Sequence, residues 1–136
     1  MDLYGHNPYG PRKPKLSRPP VSYGTADFSD LDTLAHWIDR YLGRRPNGRK
    51  IRIFVAEYNL CTDHANHLFN WWGNKQDQAT YARAALHVTR TFHRIYTMGW
   101  FALNDEAPRP SGDEANYGLL TYLGIKKPAY YAYKNN

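Results

Sequence analysis

The sequence predicts an α/β fold built on parallel strands, and three observations carry that expectation. Short apolar runs alternate with longer stretches of helical period, the order in which parallel strands and their crossover helices occur. The runs 51–56 and 98–103 are apolar with little polar alternation, as strands buried on both faces are. The segments after the runs are long and polar, while those before them are short.

The first strand is entered almost at once and ends around Leu3-Tyr4-Gly5. From His6 to Gly24 proline and glycine dominate, which excludes a regular element because proline lacks the amide donor and glycine carries no helical bias. A helix is expected to start near Asp27 or Ser29, both good capping residues. Phe28, Leu31, Leu34, Ile38 and Leu42 recur at helical spacing as its buried stripe, Gly43 closes it, and Pro46-Asn47-Gly48 turns the chain. Ile51 to Ala56 is the second strand. A long loop runs from Tyr58 to about Asn74, then a helix from Gln76 to Tyr96 with Ala82, Ala85, Leu86, Thr89, Phe92 and Ile95 on its apolar face. Met98 to Leu103 is the third strand, a polar loop covers 104–116, and Pro128 suits the first turn of a last helix.

Three strands are few for a doubly wound sheet, and long loops after the strands match the (β/α)8 barrel, whose C-terminal loops carry function. The 136 residues therefore read as a single segment, a partial TIM barrel holding the last three β/α units.

Composition adds bounds. Twelve Tyr and four Trp fill cores well, and they also stack on flat ligands such as sugars or bases. The formal charge of +6 admits a nucleic-acid partner, yet Arg12, Lys13, Lys15 and Arg18 sit among prolines, and Arg44, Arg45, Arg49 and Lys50 flank a turn. These are solvated loop charges without a stripe, so neither nucleic acid nor membrane is expected as a partner. Cys61 is the lone cysteine, which excludes an intrachain disulfide framework. The N-terminus has no basic region followed by an apolar run, and the address of the protein is not determined.

Glu57 carries the chemistry. A carboxylate at the tip of a buried parallel strand is costly unless hydrogen-bonded or used. With parallel strands, His6-Asn7-Pro8-Tyr9, Glu57-Tyr58-Asn59 and Trp100 to Asp105-Glu106 are expected at one end of the sheet. A carboxylate, a histidine, a tyrosine and an indole there could bind and attack a sugar. Trp71 and Trp72 could add a second platform or pack on the rim. Glu57 also fits a structural carboxylate paired with Arg52 or Arg94, and Trp100 fits plain packing. Cys61, His64 and His67, with Asp63, spell a crowded metal pattern, but closed zinc sites need four well-separated ligands, so no metal and no cofactor is expected.

The segment Ile53-Phe54-Val55-Ala56-Glu57-Tyr58-Asn59 resembles the seventh strand of the clan A retaining glycoside hydrolases, which ends in the nucleophilic Glu. Gly99-Trp100-Phe101-Ala102-Leu103-Asn104-Asp105 resembles their eighth strand, whose Trp floors the sugar subsite. Tyr117-Gly118-Leu119-Leu120 and Lys127-Pro128-Ala129-Tyr130-Tyr131-Ala132 are similar to their closing segment, and Asp2 to Tyr9 to their sixth strand and following loop. The resemblance covers essentially the whole chain. It implies Glu57 as nucleophile, His6 and Tyr9 near the sugar or Glu57 with Asn7 beside them, and Trp100 as stacking platform. Asp105 and Glu106 are expected to hydrogen-bond substrate or close their loop.

The acid/base Glu of that family follows the fourth strand, which this chain does not contain. Retention needs two carboxyl groups about 5–5.5 Å apart. The expectation is thus a C-terminal fragment, inactive alone, whose partners are a carbohydrate substrate and the missing N-terminal barrel half, or another copy met through open sheet edges. Two alternatives are a non-catalytic carbohydrate-binding remnant and a basic nucleic-acid-binding module. Affinity that falls steeply with salt would mark the second.

Overall fold

The computed structural model describes residues 1–10, 13–16 and 25–136. Its order is β1 (Leu3–His6), α1 (Leu31–Tyr41), β2 (Arg52–Tyr58), α2 (Lys75–Thr91), β3 (Ile95–Trp100) and α3 (Pro128–Lys134). The strands form one open parallel sheet in the order β1-β2-β3, the α/β arrangement that a partial barrel requires. The chain divides into two compact units, one of residues 1–58 and 87–99, the other of residues 59–86 and 100–136.

In the first unit the parallel register pairs Tyr4 with Ile53, Gly5 with Phe54 and His6 with Val55. Side chains alternate across a strand, so Tyr4, His6, Ile53 and Val55 share one face and Gly5 and Phe54 the other. Ile53 and Val55 are fully buried, whereas Phe54 is exposed. Leu31, Leu34, Ala35 and Ile38 form the buried stripe of α1, as their helical spacing predicts. The helix begins later than its capping residues suggest. Asp27 accepts a hydrogen bond from the Ser29 amide at 2.7 Å, which spends that carboxylate on a turn ahead of the helix. Leu42, expected in the stripe, lies past the last helical residue and is exposed. Gly43 and Gly48 adopt left-handed φ of 72° and 76°, the conformation that their places after a helix and in a turn call for.

The helix α2 is shorter than its sequence pattern suggests and β3 starts earlier. The β-branched and aromatic residues Thr91, Phe92, Ile95, Tyr96 and Thr97 favour extended backbone over helix, and no glycine or proline marks the boundary. Phe92 and Ile95 therefore leave the helix face, and Val88 completes its buried row instead. At the other end Asn74 caps α2: its Oδ1 accepts from the Gln76 and Asp77 amides at 2.9 and 2.8 Å, and Asp77 returns a bond from the Asn74 amide at 3.0 Å.

The second unit has its own core, in which Ala79 and Ala82 meet Leu119, Ala129 and Ala132, with Trp100, Tyr130 and Tyr133 packed around them. Pro128 opens α3, where its missing amide costs nothing. Gly118 allows a close backbone approach, since a Cβ there would lie 2.3 Å from the Asn104 carbonyl carbon and the Asp105 nitrogen.

Candidate active site

In the first unit the buried residues of β2 run Ile53, Val55 and then Tyr58, a spacing of two followed by three. The alternation slips at Ala56-Glu57, and Glu57 leaves the buried row as a half-buried residue at the C-terminal tip of the strand. There Tyr9 donates its hydroxyl hydrogen bond to Glu57 Oε2 at 3.2 Å. The two arginines considered as structural partners are engaged elsewhere. Arg94 makes a two-pronged contact with Asp39 at 2.9 and 3.0 Å and donates to the Ile51 carbonyl at 2.7 Å. Arg52 donates to the Ile95 carbonyl at 2.6 Å and lies over the Tyr96 ring.

The end of β1 and the loop after it bring His6, Asn7 and Tyr9 to one groove of about 570 Å³, whose other walls include Tyr4, Trp37 and Tyr41. His6 donates to the Ala26 carbonyl at 2.7 Å. Burial holds its ring below the ordinary imidazole range, with the Ala26 bond acting in the opposite direction, so the neutral form is favoured. Of the basic residues read as solvated, Lys13, Lys15, Arg44, Arg49 and Lys50 are exposed and Arg45 half-exposed, while Arg12 and Arg18 lie outside the described residues.

In the second unit the loop after β2 carries the paired indoles. Trp72 is 52% exposed, and Trp71 packs against Phe69 with ring centroids 5.2 Å apart. Trp100 is half-buried, donates from Nε1 to the Tyr117 carbonyl at 3.1 Å and meets Tyr133 edge-on. Just beyond it the Phe101–Ala102 peptide bond is cis. Asp105 is drawn inside. Its carboxylate accepts from Lys127 Nζ at 2.9 and 3.2 Å and from the Gly118 amide at 2.7 Å. Lys127 also reaches the Thr62 hydroxyl at 3.4 Å and the Asn116 carbonyl at 3.2 Å. Burial pushes Asp105 up and Lys127 down, and the attraction within the pair opposes both.

This buried pair was not legible in the sequence, because Lys126 and Lys127 are adjacent and nothing local says which one turns inward. Glu106 closes its own loop by accepting from the Ala115 amide at 3.0 Å. Cys61 is fully buried, and burial raises its thiol to about 11, which leaves it unsuited to nucleophilic or metal-binding work. Among the described residues no three His, Cys, Asp or Glu side chains converge as a metal site would require. No helix among them is long and apolar enough to cross a membrane.

No protein-family model matches the chain, and no curated protein matches it in sequence. Solved structures do. A family 39 glycoside hydrolase from Bacteroides cellulosilyticus WH2 aligns over 96% of this chain and 25% of its own, with a TM-score of 0.65 and 20% identity. The β-glucuronidase 2 of Bacteroides uniformis aligns over 98% of this chain and 15% of its own, with a TM-score of 0.62 and 17% identity. A GH2 β-galacturonidase from Eisenbergiella tayi gives 77% and 19%, a TM-score of 0.58 and 16% identity. The chain thus shares the fold of a portion of several glycoside hydrolases, and it spans a quarter or less of each.

Proposed function

We propose that this chain is the C-terminal portion of a retaining glycoside hydrolase acting on β-linked poly- or oligosaccharides, comprising the sixth to eighth β/α units of its barrel, with Glu57 as nucleophile. The observation that carries the reading is the Tyr9 hydroxyl on Glu57 at the tip of a parallel strand. A nucleophilic carboxylate must be ionised and held in one orientation, and a phenol donating to Oε2 supplies orientation while leaving Oε1 to attack. Attack on the anomeric carbon forms the glycosyl–Glu57 ester as the leaving oxygen takes a proton from an acid. Water, deprotonated by the same group, then releases the sugar. That acid/base carboxyl belongs to the N-terminal barrel half, which is the partner this reading requires. His6, Asn7 and Tyr9 are assigned to the sugar side of the first unit. Trp71, Trp72 and Trp100 are assigned to stacking, with Asp105 holding its loop.

The test is genetic and then chemical. The frame ahead of Met1 in the source genome is expected to encode five further strand–helix units, the fourth ending in Asn-Glu. The joined protein, treated with a 2-deoxy-2-fluoro β-glycoside, is expected to yield a labelled peptide containing Glu57, and the Glu57→Gln variant none. Label on a different carboxylate removes Glu57 from the role. A promoter and start codon at Met1 removes the hydrolase reading.

The exposure of Trp72 favours a second reading, a carbohydrate-binding remnant without catalysis. Sugar stacking by such a remnant would be nearly independent of salt, unlike binding of nucleic acid by the basic surface.

A further inference from the structure

Cations of the first unit gather at one end of its sheet. Between parallel strands the crossover helices run back, so their last turns share an end with the first residues of the strands. Arg40 lies in the last turn of α1, Arg90 in the last turn of α2, and Arg52 begins β2. The turn that links α1 to β2 adds Arg44, Arg45, Arg49 and Lys50. It is held as one piece by a bridge between Arg44 and Lys50 and by the Arg45 amide, which donates to the Arg49 carbonyl at 2.9 Å. Arg94, just ahead of β3, belongs to the same end, because Asp39 holds it at 2.9 Å and Lys50 at 3.1 Å. Along the sequence these charges read as a turn and scattered positions, and the fold joins them.

Little at this end offsets them. Among the described residues its carboxylates are Asp2, ahead of β1, and Asp39, which is already spent on Arg94 and Lys50. Arg40 and Arg90 also answer the helix dipoles, which leaves the charges of the turn unaccounted for. Arg40, Arg44, Arg49, Lys50 and Arg90 are all exposed, and like charges held this close repel one another unless an anion joins them. We propose that this end of the sheet, opposite the Glu57 tip, is a docking surface for an acidic polysaccharide, whose carboxylates pair with the arginine forks.

Two observations favour a glycan over nucleic acid. The helix α1 offers no basic row to a nucleic-acid groove, since Arg40 is its one arginine or lysine and Asp32 and Asp39 precede it. The exposed rings at this end, Tyr41 and Tyr96, each carry a guanidinium over the ring, Arg40 at 5.4 Å and Arg52 at 5.2 Å. Separate rings of this kind suit single pyranose faces better than a run of stacked bases. The choice of a glycan also rests on the hydrolase reading of the chain, which puts a polysaccharide on the same molecule.

The experiment titrates the whole chain, at concentrations where sedimentation shows no self-association, onto immobilised polymannuronate, a β-linked polyuronate. Affinity is expected to exceed that for a soluble neutral β-glucan by about ten-fold or more, and to fall steeply between about 50 and about 200 mM salt. Arg49→Glu with Arg90→Glu should weaken polyuronate binding about ten-fold, and Lys126→Gln in the second unit less than about two-fold. Should the reversal variant fail to fold, Arg40→Gln with Arg90→Gln should still weaken binding about three-fold. Unchanged polyuronate affinity in the folded variant, or equal affinity for the neutral glucan, overturns the proposal. So does tighter binding to duplex DNA or to phosphatidylserine vesicles than to polymannuronate at matched salt. Binding is read without turnover, so Glu57 can fail as nucleophile while this surface stands, and the fluoroglycoside can label Glu57 while this surface fails.

Discussion

Lys127 is the residue whose removal should cost the second unit most. Its ammonium and the Asp105 carboxylate are 1% and 6% exposed, so each is the other's main compensation for lost water. Burial opposes ionisation of both groups, which means the pair adds little net stability, yet breaking it strands a charge. Lys127→Met should therefore cost about 3–5 kcal/mol near neutral pH, measured by denaturant unfolding. The sign of the pH effect follows from Asp105. Burial already raises its folded-state pKa, and loss of Lys127 removes the opposing attraction. A carboxyl with a raised folded pKa favours folding at low pH and loses that advantage as pH climbs through the folded value. The deficit of Lys127→Met should shrink on acidification towards pH ~4. A deficit that does not vary with pH would show that the stranded carboxylate is not its cause. Gly118 sets a second limit: a methyl there meets backbone at 2.3 Å, and backbone cannot yield as a side chain can. Gly118→Ala should lower the melting temperature and loosen the 104–106 segment in hydrogen exchange.

At the scale of elements, acid acts on the first unit through His6. His6 ends β1 with its folded pKa below 6.5, so the unfolded chain takes up the proton more readily. Its contribution is present above that pH and is lost as pH falls. Protection of β1 and of the chain around Ala26 should therefore fall on acidification. Replacing His6 by Asn should flatten that response, which exchange resolved by residue can read. The elements themselves were largely legible. Asn74 and Asp77 spell a helix start, and Leu31, Leu34 and Ile38 spell a buried stripe. The boundary between α2 and β3 was not, because Thr91 to Thr97 holds β-formers without punctuation and tertiary packing chooses the breakpoint.

For the whole molecule, the decisive fact is apolar surface left without cover among the described residues. Phe54 stands exposed on the sheet, and β1 and β3 are both edge strands. Apart from them, Leu103, Tyr122, Leu123 and Ile125 expose apolar area in the second unit. Parallel sheets are normally covered on both faces, and free edges recruit strands. The isolated chain should self-associate as its concentration rises, which sedimentation velocity would detect. Joined to its upstream units it should sediment as a monomer. A concentration-independent monomer with a sharp melt would count against the fragment reading. The similar hydrolases span four or more times the aligned segment, in keeping with a requirement for more chain.

The sequence by itself determined the element order, the parallel α/β class and the place of Glu57 at a strand tip, because these rest on local periodicity, turn residues and the apolarity of short runs. Tertiary structure alone decided which groups meet. The Tyr9 hydroxyl reaches Glu57 across a sequence separation of 48, Arg94 turns to Asp39 across 55, and Lys127 turns inward to Asp105 and Thr62. It also decided that His64 and His67 face carboxylates of another loop. Such pairings are set by the fold that brings distant segments within hydrogen-bond reach, and the residues carry no local signal of their partner.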